Sequence, residues 1–223
     1  MTDAVFAHDG MLDKYIGDGV RAVWGAPVLQ PDHAARACRA ALEMMERLER
    51  LNATVVARGW PELHIRIGLN SGPMVFGNMG SKGHLSLTVM GDNVNLGARL
   101  EGVNKQYGTA ILASEATVAA AGDTIAARAR RRAREGQGRD RAHLRGARPR
   151  RQRPALGGGT QHFAAGLAAY RARHFADAVA AFERVLDERA NDHPSALYIR
   201  RARALIATPP PDDWEAVVTF DEK

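Results

Sequence analysis

Residues Thr88 to Leu100 read TVMGDNVNLGARL. A Gly-Asp pair, Gly91-Asp92, separates a short apolar run from a helical pattern that continues to Tyr107 and stops at Gly108. Asn95 and Arg99 stand four residues apart, so a helix places both on one face. An amide beside a guanidinium can hold a ribose and a phosphate chain, which points to nucleotide chemistry. Upstream, Lys14-Tyr15-Ile16-Gly17-Asp18 sets a cation and a carboxylate around a second tight turn.

The elements around this stretch alternate between the two periods. Residues 1–10 read as a helix end, stopped by glycine at His8-Asp9-Gly10. Met11 to Trp24 reads as two strands around Gly17-Asp18-Gly19. Asp32 is the expected N-cap of a long helix with the apolar stripe Ala35, Cys38, Leu42, Met45, Leu48 and Leu51. A strand is expected from Leu63 to Leu69, a turn at Asn70-Ser71-Gly72-Pro73, and a partner strand at Met74-Val75-Phe76. Gly77 to Gly83 reads as a loop, Leu85 to Met90 as a strand, Asn93 to Tyr107 as a helix, Thr109 to Ala113 as a strand, and Ser114-Glu115 as a helix start. Hairpin-linked strands mixed with helices imply an α+β sandwich with antiparallel pairing.

Composition narrows the classes. The single cysteine, Cys38, excludes an internal disulfide framework and fits a reducing, cytoplasmic setting. No apolar run approaches the roughly 20 residues that cross a bilayer, and the first residues, MTDAVFAHDG, lack the order of a signal peptide. The formal charge of +6 is unevenly spread. Arg128 to Arg153 holds 12 arginines against Glu135 and Asp140, a net +10, so the rest of the chain carries −4. That stretch has no lysine and no aromatic residue, so it lacks the stacking partners of a nucleic-acid surface, and no nucleic-acid partner is expected. His33, His64 and His84 show no metal-ligand spacing.

Residues 1–121 resemble a class III nucleotidyl cyclase catalytic domain. The resemblance rests on LDKYIGD, WGAP, PDHAARACRAAL, IRIGLNSG, VFGNMGS, TVMGDNVNLGARLEGVNKQYG and ILASEAT, in that order. It implies a ferredoxin-like cyclase sandwich, an antiparallel sheet with helices on one face. It also implies adenylate cyclase activity in intracellular signalling, with ATP cyclised to cyclic AMP and pyrophosphate. By resemblance Asp18 is one of two metal-binding aspartates for a pair of Mg²⁺ or Mn²⁺ ions, hard cations that take oxygen ligands. Lys14 and Thr88 would bind adenine, at N1 and at the amino group respectively. Asn95 would bind the ribose, and Arg99 would stabilise charge on the α-phosphate. A Lys and Thr pair favours ATP. The family builds its site between two subunits, so a homodimer is implied, with Asp18 on one chain facing Lys14, Thr88, Asn95 and Arg99 of the other.

The chain departs from the family in two places. The strand that carries the first metal aspartate precedes these motifs in the family and has no counterpart here; Asp3 and Asp9 lie in the wrong element. The sheet is therefore expected to be incomplete, and the chain alone is expected to have little or no activity, as a truncated cyclase domain or a silent nucleotide- or partner-binding fragment. The second departure is the Arg-rich stretch. Back-translating Glu135 to Arg148 and reading one base later permits Lys-Gly-Lys near the start and Pro-Ile-Tyr-Glu-Val-Leu near the end, close to the family's text. Residues 123–160 are thus expected to be an out-of-frame or disordered linker, which the gene's DNA sequence would decide. Residues 161–223 read as three short helices, carrying Phe163, Leu167, Tyr170, Phe175, Val179, Phe182, Val185, Leu186, Ala196, Leu197, Ile199 and Leu205, ended by Pro209-Pro210-Pro211. They resemble the tetratricopeptide-like tail that follows the cyclase domain in some bacterial membrane-anchored cyclases.

Overall fold

The computed structural model describes residues 1–81, 83–122, 158–214 and 216. The chain divides into two compact units, Met1–Arg150 and Arg151–Lys223. The Arg-rich stretch lies outside the described residues.

The first unit is α+β. Its elements run α1 (Thr2–Ala7), β1 (Met11–Ile16), β2 (Gly19–Val23), α2 (His33–Ala57), β3 (Ile67–Leu69), β4 (Val75–Ser81), β5 (His84–Met90), α3 (Asp92–Tyr107), β6 (Ile111–Ala113) and α4 (Glu115–Ala121). The strands form three two-stranded ladders: β1–β2 and β4–β5 antiparallel, β3–β6 parallel. The β3–β6 ladder lies at the centre. Ile67 and Leu69 join α2 and α4 residues, among them Cys38, Leu42, Met45 and Ala121, in one apolar core with Ile111. Gly68 turns to the opposite face, under α3.

The pairing differs from the expected one in two details. Residues 63–66 are not strand, and β3 pairs with β6 rather than with Met74-Val75-Phe76. Residues 77–81, expected as loop, continue β4. The cause is burial. β3 is covered on both faces by helices, the setting that suits a parallel ladder reached by a crossover, while β4 finds its partner through a local hairpin with β5.

Side chains correct three further expectations. Asp9, not a glycine, takes the left-handed conformation after α1, with φ of 55°. Gly10 is needed for closeness: a Cβ there would lie 2.6 Å from the Trp24 indole and 2.7 Å from Val5 Cγ1. Leu51, placed in the core stripe by periodicity, is exposed. Asp32 occupies the N-cap of α2 but makes no side-chain cap bond; its carboxylate accepts from Arg36 Nε at 2.6 Å and Arg39 Nη2 at 3.3 Å. Ser114, by contrast, caps α4 through the Thr117 amide at 3.2 Å.

Burial pushes the Cys38 thiol up to about 12, so it stays protonated and packs as a small apolar group. Charge pairing acts on two α2 carboxyls. A hydrogen bond from Arg36 holds Asp32 below its usual value. A hydrogen bond from Arg47 does the same for Glu43, with His8, 2.9 Å away, adding to it. A carboxyl lowered on folding stabilises the fold above its unfolded pKa, and that contribution disappears as pH falls through the folded value. The melting temperature is therefore expected to fall more steeply below pH 4.5, the ordinary Glu value, in the wild type than in Glu43→Gln. Circular dichroism melts across that window check this, and parallel slopes would remove Glu43 from the acid response.

The second unit is a helical array: α5 (Gly158–Arg171), α6 (Phe175–Glu188) and α7 (His193–Ala207). Asp192 caps α7, accepting from the Ser195 amide at 3.0 Å and its hydroxyl at 2.6 Å. Phe163, Tyr170, Phe175, Phe182, Val185, Ile199 and Ala202 form the core, and Trp214 packs on it. Ala196, on the expected apolar stripe, is exposed.

Candidate functional site

One end of α3 is tied to the turn that follows β3 and the other to β3 itself. At its start, Gly91 has φ of 132° and its carbonyl accepts from the Val94 and Asn95 amides at 3.0 and 3.4 Å. Asn93 Nδ2 donates to the Pro73 carbonyl at 2.8 Å, and Asn70 Nδ2 donates to the Asn93 carbonyl at 2.9 Å. At its end, Asn104 is fully buried; its Nδ2 reaches the carbonyls of Ile67, Leu100 and Glu101 at 3.0–3.2 Å. Its Oδ1 accepts from the Thr109 hydroxyl at 2.7 Å. A side-chain amide that completes backbone bonds in a dry site fixes the helix against the strand. Gly108, left-handed at φ of 59°, ends α3 as the sequence predicts.

This mounting holds Asn95 and Arg99 one turn apart on the exposed side of α3. Neither side chain has a hydrogen-bond or ion-pair partner among the described residues, and none joins them to Lys14, Asp18 or Thr88. Lys14 lies half-buried on β1, directly opposite Arg21 on β2. Asp18 is exposed at the β1–β2 turn, after Gly17 with φ of 61°. Thr88 is buried at 5% exposure on β5, opposite Gly77. The structure thus links Thr88 and the Lys14 strand through one side chain: Arg21 Nη2 donates to Thr88 Oγ1 at 3.2 Å, while Arg21 Nε pairs with Asp13.

Asp13, Arg21, Asn93 and Asn104 are the residues that sequence reasoning missed. Asp13 and Arg21 look like ordinary strand polars, because only the fold reveals that they share a guanidinium–carboxylate contact. Asn104 sits at helical spacing from Leu100 and could have been flagged only as a polar residue in an otherwise core-facing row.

Two divalent ions need several carboxylate oxygens around one point. Asp18 is a single exposed carboxylate, and the neighbouring acid on β1, Asp13, is buried against Arg21. No group of three His, Cys, Asp or Glu gathers among the described residues. Those residues do not compose a two-ion site on their own. Also among the described residues, no helix is long and apolar enough to cross a membrane.

Residues 5–151 match the family model described as the adenylate and guanylate cyclase catalytic domain. The chain is 48% identical over 124 residues to Adenylate cyclase 1 of Rhizobium meliloti, covering 56% of this chain and 19% of that protein. It is 34% identical over 122 residues to Adenylate cyclase of Anabaena cylindrica, covering 53% and 23%. It therefore spans about a fifth of the length of these curated relatives. Among solved structures it is similar to the guanylyl cyclase Cya2, at 38% identity and a TM-score of 0.50, covering 55% of this chain and 61% of the other. With two thirds of its length inside the family model and the family's motifs mounted on α3 and the β1–β2 hairpin, the chain belongs to the adenylate and guanylate cyclase catalytic domain family.

Proposed function

We propose that the chain carries the nucleotide-recognition half of an adenylate cyclase, a lyase site that converts ATP to cyclic AMP and pyrophosphate. The observation that carries this reading is the Asn95/Arg99 pair, held rigidly by Asn93 and Asn104 yet left unengaged on the exposed side of α3. Lys14 donates to adenine N1. Thr88 has one lone pair taken by Arg21 and keeps the other for the adenine amino group. Asn95 bonds the ribose. Arg99 lies against the α-phosphate, where its fixed charge offsets the negative charge that builds as the 3′-oxygen attacks phosphorus and pyrophosphate leaves. Asp18 is assigned as one carboxylate ligand toward Mg²⁺ or Mn²⁺.

The site is proposed to form between two copies of the chain. Tyr15, Ile16 and Val20 on the first hairpin and Leu85, Leu87 and Met90 on the second are large apolar side chains left exposed, which supports a partner surface. The single carboxylate supports a second reading alongside the first: nucleotide binding with little turnover.

Calorimetric titration of the 223-residue chain with non-hydrolysable ATP and GTP analogues tests the proposal. The ATP analogue is expected to bind more tightly. Arg99→Ala, which reads phosphate, should weaken both nucleotides by about tenfold or more, the size of one charged hydrogen bond. Lys14→Ala, which reads the base, should weaken ATP more than GTP. Absence of binding to either nucleotide overturns the reading. Robust cyclic AMP formation by the purified chain with Mn²⁺ would overturn low turnover and leave the cyclase assignment standing.

A further inference from the structure

Lys14 and Arg21 are directly opposed in the β1–β2 register. Two like charges so placed destabilise a ladder. The opposition follows from an irregularity: the register shifts between Leu12 and Lys14, leaving Asp13 as the extra residue, and its carboxylate on Arg21 offsets the like charges. Such a bulge re-aims a side chain. The Asp13 side chain is wholly buried, with Oδ2 on Arg21 Nε and Oδ1 without a hydrogen-bond partner. Arg21 is thereby drawn toward Asp13, and the far end of its guanidinium reaches Thr88 Oγ1 at 3.2 Å. Only a planar fork can serve both partners; an ammonium is a single point.

Resting on the proposed nucleotide reading, we infer that Arg21 is a specificity-determining residue that acts through Thr88 and narrows the preference for ATP over GTP. A hydroxyl has one hydrogen and two lone pairs. Arg21 occupies one lone pair with a cationic donor. That polarises the Thr88 O–H and makes it a stronger donor, because hydrogen bonds in a chain reinforce one another. A purine amino group needs an acceptor and meets a weakened one beside a positive charge. A purine carbonyl needs a donor and meets a strengthened one. Arg21 therefore tilts Thr88 toward the guanine O6 carbonyl, against the adenine preference set by Lys14. Arg21 need not touch the base, so its role is to position and polarise Thr88.

Arg21→Met alone would strand the buried Asp13 carboxylate and threaten folding. Two other variants avoid this: Arg21→Lys, which keeps a cation for Asp13 but lacks the fork, and the double change Asp13→Leu with Arg21→Met, which replaces the pair with apolar groups. The readout is the ratio of dissociation constants for non-hydrolysable GTP and ATP analogues, measured by calorimetry on the full chain. Both variants are expected to raise that ratio, in favour of ATP, by about five- to tenfold, the scale of one hydrogen bond. A ratio that stays fixed or falls in both variants, whatever happens to their thermal stability, overturns the role of Arg21. A wild type that prefers GTP overturns the ATP assignment alone, since the shift on substitution is read independently of where the ratio begins. A wild type that binds neither nucleotide overturns both.

Discussion

Gly68→Ala is expected to cost about 3 kcal/mol or more, at or beyond the upper end of the usual range for added core methyls. Its Cβ would overlap the Gly97 carbonyl oxygen and the Glu101 amide nitrogen, both backbone atoms of α3. A flexible side chain could swing aside; a helix backbone can only move as a body. That motion would pull Asn104 away from the Ile67 carbonyl and break the buried bond that ties the end of α3 to β3. Because Asn95 and Arg99 ride on the same helix, nucleotide binding should fall together with stability. Chemical denaturation and a titration on the same preparation check both. A variant with wild-type stability would show that α3 does not rest on β3 as described.

Phe182→Ala is expected to cost about 3–5 kcal/mol in the helical unit, the usual range for a buried ring. Phe182 is 0% exposed and stacks on Tyr198 with centroids 5.2 Å apart, while Phe163 meets its edge at 5.3 Å. A Cβ on Gly166 would sit 2.8 Å from the same ring, so α5 closes directly over it. Little surrounds the ring that can collapse into the space it would vacate. Loss of the near-ultraviolet aromatic signal and an earlier unfolding transition measure the effect. The cyclase unit's transition should stay where it is if the two units unfold independently.

The sequence made some parts of this molecule legible because their causes are local. The Gly17-Asp18-Gly19 turn, the α3 span with its Gly108 stop, and the Ser114 cap are each decided by a few adjacent residues whose backbone preferences agree. Strand pairing is different. Residues 67–69 and 111–113 are separated by more than forty positions, and no local pattern says that they lie side by side. Nor does periodicity say that Gly68 is a contact point. The glycine is legible as a weak strand residue, while its reason is a helix packed against it from elsewhere in the chain.

The candidate site divides in the same way. Lys14, Asp18, Thr88, Asn95 and Arg99 stand out through motif text. Asp13 and Arg21 do not, although Arg21 is the side chain that physically joins the Lys14 strand to Thr88.

By itself, then, the sequence determined the α+β class, the order of most elements, the three-helix tail and the family, because each follows from short-range periodicity, turn chemistry or contiguous motifs. The tertiary structure alone decided that β3 pairs with β6 between two helices, that Asp32 serves Arg36 and Arg39 rather than the helix end, and that Asp13 is buried beneath Arg21. Those outcomes are competitions among groups distant along the chain, and burial settles them only after the chain has folded.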